Sequence, residues 1–90
     1  MTSTKYEVVF KKSALKELQT VPDRMQQRIL EAVQLLALNP HTELLHIKKM
    51  KGAESLYRFR LGDYRVIYSI ESVYVKIIVI KIGHRKDVYE

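Results

Sequence analysis

Residues 56–70 read LYRFRLGDYRVIYSI: two runs in which large apolar side chains recur at every second position, joined by Gly62-Asp63. Strict alternation is the period of a strand with one buried face. A two-residue Gly-X loop between such runs predicts a β-hairpin with a type II′ turn. Its register follows from the loop length. Leu61 should face Tyr64, Arg60 should face Arg65, Phe59 should face Val66 and Arg58 should face Ile67. Tyr57, Phe59, Leu61, Tyr64, Val66, Tyr68 and Ile70 then share one face, and Arg58, Arg60 and Arg65 share the other.

The remaining elements are read around this hairpin. KYEVVF (5–10) alternates β-branched and aromatic residues and predicts a short strand. KKSALKELQ (11–19) places Ala14, Leu15 and Leu18 at helical spacing. Val21-Pro22-Asp23 interrupts it, with Pro22 suited to the first turn of a second helix. Met25, Ile29, Ala32, Val33 and Leu36 form one apolar stripe of that helix, which Asn39-Pro40 should stop. Residues 41–55 are polar and irregular and read as a connector. VYVKIIVIKI (73–82) is the most apolar run and predicts a central third strand after a turn at Glu71-Ser72, which would set Arg65 opposite Ile78. Gly83 should end it, leaving a short tail. The expected fold is α+β, β-α-α-β-β-β: an N-terminal strand and a helical hairpin packed on one face of a small, mainly antiparallel sheet. Ninety residues suffice for a single domain, 1–90.

The arginine face poses the chemical question. Opposed like charges destabilise a strand pair by a few tenths to about 1 kcal/mol. Either each arginine has an acidic neighbour, such as Glu54 or Asp63, or the cluster is arranged for an anion from outside the chain. Guanidinium binds phosphate bidentately and keeps its charge at every working pH. The charge distribution favours the second reading. Residues 1–45 carry six Lys/Arg against five Asp/Glu, a net of +1, whereas residues 46–90 carry ten against five, a net of +5. Lys48, Lys49 and Lys51 precede the first arginine strand, and Arg85 and Lys86 follow the third. Basic residues beside aromatic rings on a sheet suit RNA, whose bases stack while cations hold the phosphates.

Other chemistries find no support. The chain has no cysteine, so disulfides and thiolate zinc sites are excluded and a reducing cytosol is the natural setting. His41 and His46 lie in the connector with no spaced partner, so no metal site is expected. The N-terminus lacks the apolar core of a signal peptide, and IIVI (77–80) is far too short to span a bilayer. The expectation is a cytoplasmic protein with no cofactor and no membrane partner.

KKMKGAESLYRFRLGDYRVIY followed by VIKIGHRKDVY resembles the RelE branch of the RelE/ParE toxin superfamily, and the likeness covers nearly the whole chain. It implies the toxin half of a type II toxin–antitoxin pair, cutting mRNA in the ribosomal A site without a metal. It also implies an acidic antitoxin in a hetero-oligomeric complex, besides mRNA and the ribosome. The family's two basic residues on the first hairpin strand fall on Arg58 and Arg60. Its arginine after the turn falls on Arg65, its C-terminal arginine on Arg85 and its terminal tyrosine on Tyr89. Two departures stand out: arginine replaces lysine at 58 and 60, and His84 precedes Arg85. In the implied reaction the ribose 2′-hydroxyl attacks the adjacent phosphate. Arg65, helped by Arg58 and Arg60, would clamp that phosphate. Arginine is a poor base, so the proton steps would fall to Tyr89 or His84, with Arg85 on the leaving-group side. Lys48, Lys49, Lys51 and Lys86 would hold RNA or ribosome. Two alternatives remain open: a ParE-like gyrase inhibitor acting by binding, and a non-catalytic nucleic-acid-binding module.

Overall fold

The computed structural model describes residues 5–52 and 55–84. The order is β1 (Glu7–Phe10), α1 (Lys12–Gln19), α2 (Asp23–Leu38), β2 (Lys48–Lys49), β3 (Leu56–Leu61), β4 (Tyr64–Glu71) and β5 (Lys76–His84). The five strands form one mixed sheet in the order β1-β5-β4-β3-β2, parallel between β1 and β5 and antiparallel elsewhere. This is the α+β arrangement expected from the sequence, with one strand added.

The helices close one face of the sheet. Ala14 and Leu18 of α1 and Ile29, Ala32, Val33 and Leu36 of α2 meet Phe59, Val66, Tyr68, Ile77, Val79 and Ile82 in one core. The stripe read from the sequence is thus the buried side of α2, with Met25 partly buried against the same core. Pro22 stands at the N-cap with φ −54°, where its missing N–H leaves no helical bond unmade.

The β3–β4 register is the predicted one, including Arg60 opposite Arg65. Gly62 takes φ 56° while Asp63 stays at negative φ, the combination of a type II′ turn. A Cβ at Gly62 would also come within 3.2 Å of the Met25 Cε methyl, so the turn is capped by the start of α2.

The β4–β5 connection differs from expectation. Ile70 pairs with Ile77 rather than Val73, because the turn spans Ser72 to Val75. Val73 and Tyr74 are 87% and 72% exposed, outside the strand. Val75 closes the turn at φ 54°, an unusual conformation for a β-branched residue. Its carbonyl accepts from the Glu7 N–H at 2.9 Å, so pairing with β1 holds it there. A bulge between Ile67 and Tyr68 shifts the register by one more residue. Arg65 therefore faces Gly83 instead of Ile78, and β5 continues through Gly83 to His84. β5 is interior, but β4 occupies the middle of the sheet and is the more buried strand. The connector supplies β2, where Lys48 pairs with Arg58 and Lys49 with Tyr57.

Tyr68 is fully buried, stacked on Tyr57 with ring centroids 5.9 Å apart. Its hydroxyl has no hydrogen-bond partner among the described residues. Burial, assisted by Tyr57, pushes its ionisation well above the usual phenol range.

Two outcomes follow. Gly62→Ala forces φ > 0 on an L-residue, at about 1 kcal/mol, and crowds Met25. Its melting temperature, followed by circular dichroism, should fall by about 4–8 °C. Tyr68→Phe removes an unsatisfied hydroxyl and should leave stability equal or higher. The folded phenol ionises at higher pH than the unfolded one. Its stabilisation is therefore complete below about pH 10 and declines as pH rises above that. Denaturant titrations at about pH 8 and about pH 11 should show a smaller alkaline loss in Tyr68→Phe than in the unaltered chain.

Candidate RNA-binding and catalytic face

The face of the sheet opposite the helices is built from the pairs that the hairpin register dictates. Directly opposed residues point the same way, and neighbours alternate. Lys48 of β2 lies beside Arg58 of β3, and Arg60 of β3 beside Arg65 of β4. Two like-charged cross-strand pairs therefore stand side by side on adjacent strands. Arg60 is exposed, and Arg58 and Arg65 are half-buried. Arg58 and Arg65 each engage neighbours within the fold, as do Asp63 and His84. A guanidinium carries five N–H donors, so an internal contact does not use up its capacity for an incoming phosphate.

Two open concavities flank this row. One, of about 330 Å3, is lined by His46, Lys48, Arg58 and Arg60. The other, of about 400 Å3, is lined by Lys48, Lys49, Met50, Lys51 and Arg58. Lys48 and Arg58 belong to both, which makes the edge of the sheet at β2 continuously basic. Of the lysines named from the sequence, Lys48 meets a strand arginine by pairing with Arg58, and Lys49 and Lys51 line the second concavity beside that pair. The sequence signal for this placement is weak, because a two-residue strand has no readable period. His46, a connector residue with no role assigned from the sequence, is brought to the same concavity by the chain path.

His84 is placed differently from the arginines. It pairs with Tyr64, whose side chain belongs to the helix side, and the two rings meet edge to face at 5.5 Å. Glu17 and Lys81 line the same hollow beside it. Glu17 accepts from the Ile82 N–H and from the Lys81 ammonium, both at 3.0 Å, and so ties α1 to the end of β5. Gly83 is the β5 residue beside Arg65. Arg85, Lys86 and Tyr89, with the possible counter-charge Glu54, lie outside the described residues. No group of three His, Cys, Asp or Glu side chains among the described residues could hold a metal ion. No helix among them is long and apolar enough to cross a membrane.

The sequence and the fold are similar to those of known proteins. The sequence model of the family described as ParE toxin of type II toxin–antitoxin system, parDE, matches residues 8–89. Toxin RelE3 of Methanocaldococcus jannaschii is 38% identical over 92% of this chain and 94% of its own length. The archaeal RelE–RelB complex of Pyrococcus horikoshii contains a chain that superposes with TM-score 0.80 at 36% identity, covering 93% of this chain and 99% of that one. The RelB–RelE antitoxin–toxin complex of Methanococcus jannaschii contains one with TM-score 0.76 at 30% identity, covering 91% and 99%. The basic, register-locked sheet thus stands in a fold shared along nearly its whole length with RelE proteins, and the chain belongs to the RelE/ParE superfamily of type II toxin–antitoxin toxins, on its RelE branch.

Proposed function

We propose that this toxin is a ribosome-dependent endoribonuclease that cuts mRNA in the A site and so stops translation in the cytoplasm. The observation that carries the reading is the pair of opposed basic couples, Lys48–Arg58 and Arg60–Arg65, on the face the helices leave open. A phosphodiester set among these side chains would meet several fixed cations at once. In the transition state, charge grows on the non-bridging phosphate oxygens, and preorganised donors aimed there supply the largest share of such catalysis. Arg65 serves as the principal clamp, with Arg58 and Arg60 on the opposing strand. The ribose 2′ oxygen is the nucleophile, so the proposed reaction needs no metal-bound water. Arg85 and Tyr89 retain the roles that the family resemblance gives them, leaving-group stabilisation and proton transfer or base stacking. His84, seated against Tyr64 on the other side of the sheet, supports the end of β5 more directly than it serves the phosphate. Lys48, Lys49, Lys51 and Lys86 hold the RNA backbone or the ribosome, positioning the substrate without reading sequence.

The proposed partner that restrains this activity is an acidic antitoxin. Its charge complements a net +6, and the P. horikoshii and M. jannaschii neighbours are complexes of RelE with RelB. The match to the ParE description favours one second reading, a gyrase inhibitor that acts by binding.

Induction of the lone chain in bacteria should arrest growth, and labelled amino-acid incorporation should collapse before thymidine incorporation. The reverse order supports the gyrase reading. Arg65→Ala should lower the rate of A-site cleavage by about 10²–10³-fold while the circular dichroism spectrum is unchanged. Arg85→Ala should likewise abolish growth arrest. Retained cleavage in Arg65→Ala would remove the clamp from the mechanism.

A further inference from the structure

The proposed cleavage needs an atom that can take a proton from the 2′-hydroxyl, and the described basic face is short of one. Arginine and lysine in their charged forms are donors only. Among the described residues lining the Lys48–Arg58–Arg60 concavity, His46 is the one whose neutral side chain carries a nitrogen lone pair. Its position follows from the chain path. His46 is exposed, two residues before Lys48, while Ile47 between them turns partly into the core. The Ile47 N–H donates to the Leu45 carbonyl at 2.9 Å, which fixes the backbone just ahead of β2. Leu45 itself is buried. The imidazole is therefore carried on an anchored segment and lines a basic hollow of about 330 Å3, room for a phosphate and its ribose.

A second hollow meets the first at the same residue. It measures about 410 Å3, and His46, His41, Lys49 and Tyr57 are among its lining residues. His41 and Tyr57 pack edge to face with ring centroids 5.9 Å apart. An unpaired nucleobase suits such an aromatic wall, because every base presents a π-face for stacking. His46 thus stands between a surface fitted to a base and one fitted to a phosphate. That is where the ribose joining the two would lie.

We propose that His46 is the general base of the cleavage reaction, acting on the ribose 2′-hydroxyl beside the phosphate clamped by Arg65 with Arg58 and Arg60. This inference rests on the endoribonuclease reading and assigns a residue to its proton step. Neutral imidazole takes the 2′-hydroxyl proton as the 2′ oxygen bonds to phosphorus. The bond from phosphorus to the 5′ oxygen breaks, and that oxygen takes a proton from solvent. The products are a 2′,3′-cyclic phosphate and a 5′-hydroxyl end, and imidazolium returns its proton to water. Among the described residues, the charged and titratable groups around His46 are Lys48, Arg58 and Arg60 on one side and His41, Glu43, Lys49 and Tyr57 on the other. Because the base must be unprotonated, kcat should rise with pH along a limb that belongs to His46.

The test is single-turnover and steady-state cleavage of mRNA on purified ribosomes by the unaltered chain, His46→Ala and His46→Gln, across a pH series. Removal of a general base lowers the rate by about 10²–10⁴-fold. Both variants should lose at least tenfold in kcat with KM within threefold, and both should lose the rising limb of the pH profile. Added imidazole should restore part of the rate in His46→Ala. Circular dichroism checks folding, and His46→Gln supplies the result if the alanine variant unfolds. A fall smaller than tenfold, a loss carried by KM alone, or an unchanged pH limb overturns the assignment. Absence of cleavage by the unaltered chain overturns the endoribonuclease reading itself, so the two failures are distinct.

Discussion

Gly62 turns the chain back with φ 56° over two residues, and that turn locks β3 and β4 into one register. The register has two consequences that cannot be separated. It sends Phe59, Val66 and Tyr68 into the core beneath the helices, and it sends Arg58, Arg60 and Arg65 to the opposite face. A slip of one residue would exchange the two sets. Each fully buried large apolar side chain stabilises the fold by about 1.5–3 kcal/mol, whereas each opposed cationic pair costs at most about 1 kcal/mol. The core therefore decides the register, and the repulsion on the open face is carried as a minor opposing effect.

The far end of the sheet extends the same logic. The Ser72–Val75 turn and the bulge after Ile67 advance β5 against β4 until Gly83 stands beside Arg65. Glu17 then fastens that end of the strand to α1 by receiving the Ile82 N–H and the Lys81 ammonium. The chain thus reaches His84 alongside the hairpin turn, one residue before Arg85. At the other edge, β2 brings Lys48 beside Arg58 and carries His46 to the same hollow. A substrate phosphate on this face would be served by segments far apart in sequence, each held by the buried side of the molecule.

Much of this was legible in the residues. Alternation in 56–70, the Gly62-Asp63 loop and the apolar stripe from Met25 to Leu36 carry the hairpin, its register and the second helix. These signals are local and periodic, so tertiary packing only reinforces them. The second turn is not legible, because Val75 adopts a left-handed conformation that no β-branched residue advertises. Pairing with Glu7, distant in sequence, holds it there. The bulge leaves no signature in the apolar run IIVI (77–80), where no polar residue marks the break in alternation. β2 is two lysines long and is defined by its partner rather than by its own pattern. For the same reason the site was half legible. The arginines follow from the hairpin, but the place of His46 among them depends on how the connector returns to the sheet edge.

The central proposal is that the opposed cations, whose repulsion the core outweighs, stand on this face to receive an RNA phosphate. It is tested most directly by Arg60→Thr, measuring thermal stability and A-site mRNA cleavage on the same preparation. The account expects a higher melting temperature at low salt, a difference that shrinks as salt screens the repulsion, and a fall in cleavage rate. A variant that is less stable at every salt concentration, or that cleaves as fast as the unaltered chain, would contradict it.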